Sequence, residues 1–277
     1  MEKLEIKTPA KINIGLNVIE KRPDGYHNIE TIFYPINLFD KLTLYKSDSL
    51  KFNCKNNLIR EDESNSIIHA VKLLEEESNG KINCLIELEK NIPIGAGMGG
   101  GSSDGAAALK AVNELFNLGV SDNRLADLAL KIGSDVPFFL KAKSCFAQSR
   151  GELMRDLRLK IPLPILVVNP GIHISTRWAY ENINPVKPKK SLFEKFNNPI
   201  NDFKYLKDLV NNDFEDVVFK KFPEIKEIKE TLYSNGALFA LMTGSGSTVF
   251  AIFDGLNNAL KAKEKFSGKC FTFIHQE

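Results

Sequence analysis

A run of glycines in the first half of the chain is the feature best suited to binding phosphate. Five of the seven residues from Gly95 to Gly101 are glycine, so the backbone can adopt positive φ angles and a ligand can approach its amides closely. A strand-like segment precedes this run and an alanine-rich, helix-like segment follows it. Because the first amides of a helix lack partners and its dipole favours negative charge, the arrangement predicts a phosphate site. The alternative is a flexible linker, which would have no need of so apolar a helix directly behind it.

The elements around this run are a predicted strand at Cys84–Glu89 and a predicted helix over residues 104–116. The side chains of Ser102, Ser103 and Asp104 are expected to cap the start of that helix. The loop is not a Walker A motif, because it lacks the Gly-Lys-Ser/Thr ending that brings a lysine to the phosphates. A Rossmann fingerprint does not fit either, since the glycines are not followed by the required acidic residue in a short strand–loop–helix unit.

A second glycine-rich loop, Gly244-Ser245-Gly246-Ser247, lies between two predicted strands, residues 238–242 and 248–253. A short loop of this composition is most often a plain hairpin turn. The alternative is that it closes on the other side of a nucleotide phosphate held by the first loop.

Lys11 and Asn13 are the first polar candidates for chemistry. Residues 10–18 alternate between apolar and polar types, which predicts a half-buried strand. Lys11 and Asn13 then project from one face, about 7 Å apart. A solvated outer face is the ordinary interpretation of such a pattern, although asparagine is depleted in strands and Asn13 and Asn17 share this face.

Asp135 lies in the segment Gly133-Ser134-Asp135-Val136-Pro137 and is a candidate general base. An acid two residues before a proline is also a typical helix N-cap, with the proline in the first turn. The apolar neighbours favour a carboxylate that is partly desolvated and poised for proton transfer. From the residues alone, both interpretations stay open.

A predicted turn, Arg22-Pro23-Asp24-Gly25, holds Tyr26 and His27 directly beside it. On its own, such an aromatic pair after a turn more often serves packing than recognition.

Composition limits the classes of function. The 277 residues are 43% hydrophobic and 26% charged, with a net charge of +2, which is typical of a globular protein and gives no reason to expect nucleic acid as a partner. The four cysteines lie far apart without a CxxC pair, so we expect reduced thiols, neither a zinc site nor a disulfide framework, and a cytoplasmic location. The apolar runs are too short for a membrane-spanning helix, and no export signal is recognisable.

The two prolines of Ile161-Pro162-Leu163-Pro164 mark the expected domain boundary. We therefore predict an N-terminal domain over residues 1–161 and a C-terminal domain over residues 162–277. Within the second, residues 184–201 are rich in proline, lysine and asparagine and are expected to form a mobile excursion.

Together, these motifs resemble the GHMP kinases, the superfamily of galactokinase, homoserine kinase and mevalonate kinase. The glycine loop is similar to their Pro-x-x-x-Gly-Leu-Gly-Ser-Ser loop. The rest is similar to the branch whose alcohol substrate carries a cytidine diphosphate, and the segments concerned are Ala10-Lys11-Ile12-Asn13, Arg22 to His27, and Gly133 to Pro137. The resemblance covers about residues 9–253. It implies a two-domain α+β fold, with an N-terminal domain like ribosomal protein S5 domain 2 and a ferredoxin-like C-terminal domain.

The resemblance also implies the roles of the site residues. Asp135 would be the general base, with Lys11 beside it stabilising charge on the transferring phosphoryl group. ATP would be the phosphoryl donor, with Mg²⁺ expected alongside it and Ser103 or Asp104 as weak candidates for a direct ligand. The remaining implied contacts are Asn13, Tyr26, His27 and Tyr180 for the substrate, and Pro93, Ile94, Gly95, Ala96, Gly97, Met98, Gly99, Gly100, Gly101, Ser102, Ser103, Gly244 and Ser245 for ATP.

The expected partner is a small molecule that carries cytidine diphosphate, and the expected state is a monomer or a weak homodimer. Two alternatives stay open. One is another GHMP kinase, of the homoserine or mevalonate type, which has no need of the Tyr26–His27 pair. The other is a non-catalytic nucleotide sensor on the same fold, against which the presence of both Lys11 and Asp135 argues.

Overall fold

A computed structural model describes residues 2–56, 59–60, 62–196 and 203–277. The chain forms two compact units, each assembled from separate stretches of sequence. The first unit contains Met1–Ala10, Leu38–Ile94 and Gly99–Ala142, and the second contains Lys11–Asn37, Gly95–Met98 and Lys143–Glu277. The domain boundary near residue 161 stays a prediction.

The described residues form ten strands and ten α-helices. The strands are β1 Lys3–Lys21, β2 His27–Lys46, β3 Lys51–Cys54, β4 Cys84–Glu89, β5 Cys145–Ser149, β6 Leu153–Asp156, β7 Ile165–Asn169, β8 Phe239–Met242, β9 Val249–Ile252 and β10 Phe271–His275. The helices are α1 Ser66–Ser78, α2 Gly100–Leu115, α3 Asp122–Ile132, α4 Val136–Lys141, α5 Thr176–Asn182, α6 Leu192–Lys195, α7 Leu206–Leu209, α8 Glu215–Lys221, α9 Pro223–Ser234 and α10 Leu256–Glu264, with a 3₁₀ turn at Phe203–Tyr205.

In the first unit, helices α1 to α4 accompany a small sheet. The second half of β2 pairs antiparallel with β4, and β4 pairs parallel with β3. The predicted strand Cys84–Glu89 is confirmed by β4. Asn65 caps α1 as its side chain accepts a hydrogen bond from the Ile67 amide, which stabilises a helix start because it satisfies an otherwise unpaired donor.

The predicted start of the helix after the glycine run is wrong. Helix α2 begins at Gly100, four residues earlier than expected, and its N-cap is Gly99 with φ of 71° and no side-chain cap. Ser102 and Ser103 therefore lie inside the first turn and do not cap it. The backbone could turn into the helix early because glycine reaches the left-handed region without steric cost.

In the second unit, the first half of β2 pairs antiparallel with β5, and β5 pairs with β6. Strand β1 pairs with β2, and the turn between them is the predicted one, with the Tyr26 amide donating to the Asp24 carboxylate at 3.1 Å. Strand β2 is continuous over its 20 residues.

The second sheet of this unit has the strand order β10-β7-β9-β8, and all its neighbours are antiparallel. Along the chain, β7 is followed by helices, then by the β8–β9 hairpin, α10 and β10. This is the split β-α-β arrangement of ferredoxin-like domains, so the expectation for the C-terminal domain is confirmed. Its core is built from buried aliphatic and aromatic side chains of this sheet and of α8, α9 and α10.

Both faces of the central part of β1 are buried. Lys11 and Asn13 are only 3% and 2% exposed, so the ordinary interpretation of this face as solvated is wrong. Burial of such polar groups costs free energy unless they have hydrogen-bond partners, and those partners identify the candidate site.

The region predicted to be a mobile excursion contains the short helix α6. Leu192 at its start is fully buried, and its amide donates to the Glu30 carboxylate at 3.0 Å. Residues 197–201 of the predicted excursion lie outside the described residues. Among the helices that the structure describes, none has the length and apolar character needed to cross a membrane.

Candidate active site

The glycine loop has a regular alternation. Gly95, Gly97 and Gly99 have φ angles of 64°, 76° and 71°, while Ala96 and Met98 between them are buried. The apolar side chains anchor the loop, and the glycines supply the conformation that other residues rarely adopt. The loop can therefore present its backbone to a ligand while staying fixed to the protein.

The second glycine loop packs directly on the first within the second unit. A Cβ atom on Gly97 would lie 2.2 Å from the carbonyl oxygen of Thr243, and one on Gly244 would lie 3.1 Å from the carbonyl oxygen of Gly97. The hairpin interpretation is confirmed, because the loop connects the antiparallel strands β8 and β9. No residue larger than glycine fits where the loops touch.

Lys11 and Asn13 meet this pair of loops. The Lys11 ammonium donates to Asn13 Oδ1 at 2.5 Å and to the Gly97 carbonyl oxygen at 3.0 Å, and it lies 5.3 Å from the centroid of the Phe33 ring. The Lys11 amide donates to the Met98 carbonyl at 3.0 Å. These contacts compensate a buried cation for its lost hydration and hold a positive charge against the glycine loop.

Asp135 belongs to the first unit, where it is half-buried at the start of α4. Its backbone occupies the N-cap position, but its side chain makes no capping hydrogen bond. The capping interpretation of the carboxylate is therefore wrong. This placement is compatible with a role of the Asp135 carboxylate as a proton acceptor.

An aromatic pair lies elsewhere in the second unit. The rings of His27 and Tyr180 stack with centroids 4.8 Å apart and an interplanar angle of 21°, and Phe214 meets Tyr180 edge-on at 4.9 Å. Tyr26 is 53% exposed and lies beneath the guanidinium of Arg150, 4.8 Å from its ring centroid. The structure thus brings His27, rather than Tyr26, into contact with Tyr180.

Burial lowers the pKa of the His27 imidazole below its usual value, and the charge of Lys21 lowers it further. The ring is consequently neutral at neutral pH, with one nitrogen as donor and the other as acceptor. A neutral imidazole can read the hydrogen-bonding edge of a base.

Two family models match the chain. The GHMP kinases N terminal domain matches residues 65–143, and the GHMP kinases C terminal domain matches residues 190–271. The chain is 39% identical to a 4-diphosphocytidyl-2-C-methyl-D-erythritol kinase of Chlorobium phaeobacteroides, an alignment that covers 95% of this chain and 90% of that protein. It is 43% identical to the kinase of the same name from Bacteroides fragilis, over 88% and 90% of the two chains.

The chain belongs to the GHMP kinase family. A solved structure named as 4-(cytidine 5'-diphospho)-2C-methyl-D-erythritol kinase matches it with a TM-score of 0.80 and 33% identity, covering 98% of each chain. The predicted two-domain α+β kinase fold and the assignment as a phosphotransferase are thereby confirmed.

This GHMP kinase has a buried charge cluster in its first unit that sequence reasoning missed. The Lys90 ammonium contacts the carboxylate of Asp40 and donates to Asp104 Oδ2 at 2.8 Å. Asp40 Oδ1 also accepts from the amides of Asn91 and Ile92 at 2.6 and 2.8 Å. One carboxylate thus fixes the chain just before the glycine run.

The second carboxylate of this cluster, Asp104, is the fifth residue of α2. It accepts from the Thr8 hydroxyl at 2.7 Å, and burial raises its pKa to about 6. Both oxygens of the Asp104 carboxylate are engaged, Oδ1 by Thr8 and Oδ2 by Lys90, so Asp104 does not fit as a metal ligand. The Ser103 hydroxyl is buried without a hydrogen-bond partner among the described residues, so of the two candidates only Ser103 fits.

Other contacts of this kinase were also not predicted from the sequence. The partners of Lys11 and Asn13 include Thr31 and Thr243, which are separated from them by up to 230 residues. A Cβ atom on Gly95 would lie 2.7 Å from Nδ1 of His173, which is an exposed residue. A signal in the sequence for the partners of Lys11 and Asn13 is Asn13 itself, because asparagine is depleted in strands.

The charge cluster predicts an asymmetric response to substitution. Lys90→Met leaves two buried carboxylates without their cation and should lower the free energy of unfolding by about 3–5 kcal/mol. Asp104→Asn keeps the ion pair between Lys90 and Asp40 and should lower the free energy of unfolding by much less. Urea denaturation at pH 7 measures both, with the exposed Lys51→Met as the matched control; equal losses for Lys90→Met and Lys51→Met would contradict the assignment.

The Asp104→Asn variant also tests how the stability of the protein depends on pH. Asp104 has a folded pKa of about 6, above its ordinary value of 3.8, so between those values the folded protein holds a proton that the unfolded chain has released. Its contribution to stability is therefore favourable at the acid end and is lost as pH rises from about 4 to about 6. The stability of Asp104→Asn relative to wild type should accordingly increase over this window; a constant difference would exclude the raised pKa.

Proposed function

We propose that this kinase transfers the γ-phosphoryl group of ATP to the 2-hydroxyl of 4-diphosphocytidyl-2-C-methyl-D-erythritol, giving the 2-phosphate and ADP. This reaction belongs to the non-mevalonate pathway of isoprenoid precursor synthesis. The observation that carries the proposal is the buried Lys11 ammonium held against the glycine loop by Asn13 Oδ1 and the Gly97 carbonyl. The names of the relatives support the choice of substrate.

The donor phosphates bind to the backbone of the glycine run, from Pro93 to Ser103, with Gly244 and Ser245 as further contacts. Support comes from the geometry of the loop and from α2, a helix of 16 residues whose first amides lack partners within the helix. Mg²⁺ accompanies ATP and neutralises charge on its phosphates when bound. Ser103 would be its protein ligand, a role favoured by its unpaired buried hydroxyl.

The acceptor is an alcohol, whose pKa lies far above neutrality, so a base is needed as the new phosphorus–oxygen bond forms. Asp135 takes this proton, and its carboxylate is not used as a helix cap. Lys11 stabilises the negative charge that develops on the phosphoryl oxygens. Asn13 helps to hold the methylerythritol end of the substrate.

The cytosine base is recognised by Tyr26, His27 and Tyr180. The stack of His27 on Tyr180 and the neutral imidazole support base reading by His27. The exposed ring of Tyr26 is available to stack on the base. In single-strand binders such stacking contributes about 1–3 kcal/mol per base, enough to separate this substrate from homoserine or mevalonate.

We also infer that the enzyme works in the cytoplasm as a monomer or a weak homodimer. The four cysteines are free thiols, which suits a reducing compartment.

Removal of the proposed base or of the proposed cation should stop the chemistry without unfolding the protein. Asp135→Asn should lower kcat about 10²–10⁴-fold, and Lys11→Ala about 10²–10³-fold, with ATP affinity nearly unchanged. A coupled ADP-release assay and ATP titration measure these effects. The matched control is Asp127→Asn, an exposed acid of the first unit. If Asp135→Asn keeps most of the wild-type turnover, Asp135 is not the base.

Loss of the imidazole should weaken binding of the cytidylated substrate alone. His27→Ala should raise its KM about tenfold, a loss within the range of base stacking, while KM for ATP stays constant. In the wild type, this KM should stay constant down to about pH 6.5, the ordinary pKa of histidine, and rise only at lower pH, because burial lowers the pKa of His27 and protonation removes the acceptor nitrogen. His69→Ala in α1 is the control; an unchanged KM in His27→Ala would rule out base reading.

A further inference from the structure

Two buried threonines of the second unit surround the Lys11–Asn13 pair. Thr31 in β2 and Thr243 at the end of β8 are both fully buried. Neither belongs to a motif that indicated function in the sequence. Both hydroxyls are hydrogen-bonded to Asn13, the residue that accepts from the Lys11 ammonium.

Thr31 fixes which way the Asn13 amide points. Its hydroxyl donates to the Gly15 carbonyl at 2.7 Å, so its single proton is used and its oxygen can only accept. The donor it accepts from is Asn13 Nδ2, at 2.8 Å. Because the amide nitrogen faces Thr31, the amide oxygen faces Lys11.

Thr243 fixes the same residue from the other side. Its hydroxyl oxygen accepts from the Asn13 backbone amide at 2.9 Å. Its proton can go to Asn13 Oδ1 or to the Gly97 carbonyl oxygen, each 3.2 Å away. These two oxygens are the ones that hold the Lys11 ammonium.

The segment that carries Thr243 is itself held firmly. Asn212 donates through its side-chain amide to the carbonyls of Met242 and Gly244, at 2.7 and 2.8 Å. The Thr243 amide donates to the Thr248 carbonyl at 2.9 Å. The second glycine loop is therefore a rigid support for Asn13 and Gly97, a function separate from any contact with phosphate.

We propose that Thr31 and Thr243 are positioning residues that fix the Lys11 ammonium through Asn13 and Gly97, an inference that rests on the proposed function of Lys11. A misplacement of about 1 Å can cost as much as 10²-fold in rate. Chemistry at the phosphoryl group should therefore depend on these hydroxyls through their contacts with Asn13 and Gly97.

The test compares isosteric and conservative substitutions. Thr31→Val and Thr243→Val remove the hydroxyl and keep the volume, whereas Thr31→Ser and Thr243→Ser keep the hydroxyl. The control is Thr248→Val, which also removes a buried hydroxyl of this unit, one that accepts from Asn169 at 2.9 Å. Steady-state kinetics with varied ATP and varied cytidylated substrate, together with thermal melts, are measured for all five variants.

We expect each valine variant to lower kcat at least tenfold with both KM values within threefold of wild type. Each serine variant should keep at least half of the wild-type kcat. Thr248→Val should lose comparable thermal stability but keep its kcat. These outcomes together would separate positioning from a general loss of structure.

Valine variants with wild-type kcat would overturn the inference, and so would a fall in kcat for Thr248→Val as large as theirs at equal thermal stability. If a valine variant does not fold, its serine partner decides, because a serine variant that folds and loses kcat tenfold also contradicts the inference. A separate result would contradict the proposed function, namely undiminished turnover by the Lys11→Ala variant.

Discussion

The buried ammonium of Lys11 is the contact that joins β1 to the first glycine loop in the second unit. A cation that is 3% exposed is tolerated only with oxygen partners in place, and its partners come from distant parts of the chain: Asn13 on its own strand and the Gly97 carbonyl of the first glycine loop. A separate contact requires glycine at position 97, since the Thr243 carbonyl leaves no room for a Cβ. A buried charge, the loop conformation and the loop packing thus meet at Gly97.

The first unit also contains a buried cation, which is held by a different set of residues. Lys90 lies between Asp40 and Asp104. These two carboxylates fix the chain on both sides of the glycine run, because Asp40 accepts from two amides just after β4 and Asp104 lies in α2. A carboxylate that is so fully engaged cannot also serve a metal, which is why Asp104 is unsuited to Mg²⁺. Charge burial here supplies rigidity for a loop that glycine alone would leave flexible.

Much of the secondary structure could be predicted from the sequence, because the signals for it were local. The strand β4, the turn before Tyr26 and the β8–β9 hairpin follow from alternation and turn chemistry. The start of α2 was predicted wrongly because serine and aspartate side chains suggested caps, whereas Gly99 made the turn without one. The burial of both faces of β1 and the hydrogen bonds of Thr31, Thr243 and Lys90 depend on contacts far apart in sequence, which no local pattern contains.

The decisive measurement is the reaction of the purified protein with ATP, Mg²⁺ and 4-diphosphocytidyl-2-C-methyl-D-erythritol labelled with ¹³C at carbon 2, followed by ³¹P and ¹³C NMR. The proposed function predicts one ADP per substrate consumed and a new phosphomonoester coupled to the labelled carbon. Homoserine and mevalonate at the same concentration should give no product. Turnover of either of these in place of the cytidylated alcohol, or a phosphate attached at another carbon, would contradict it.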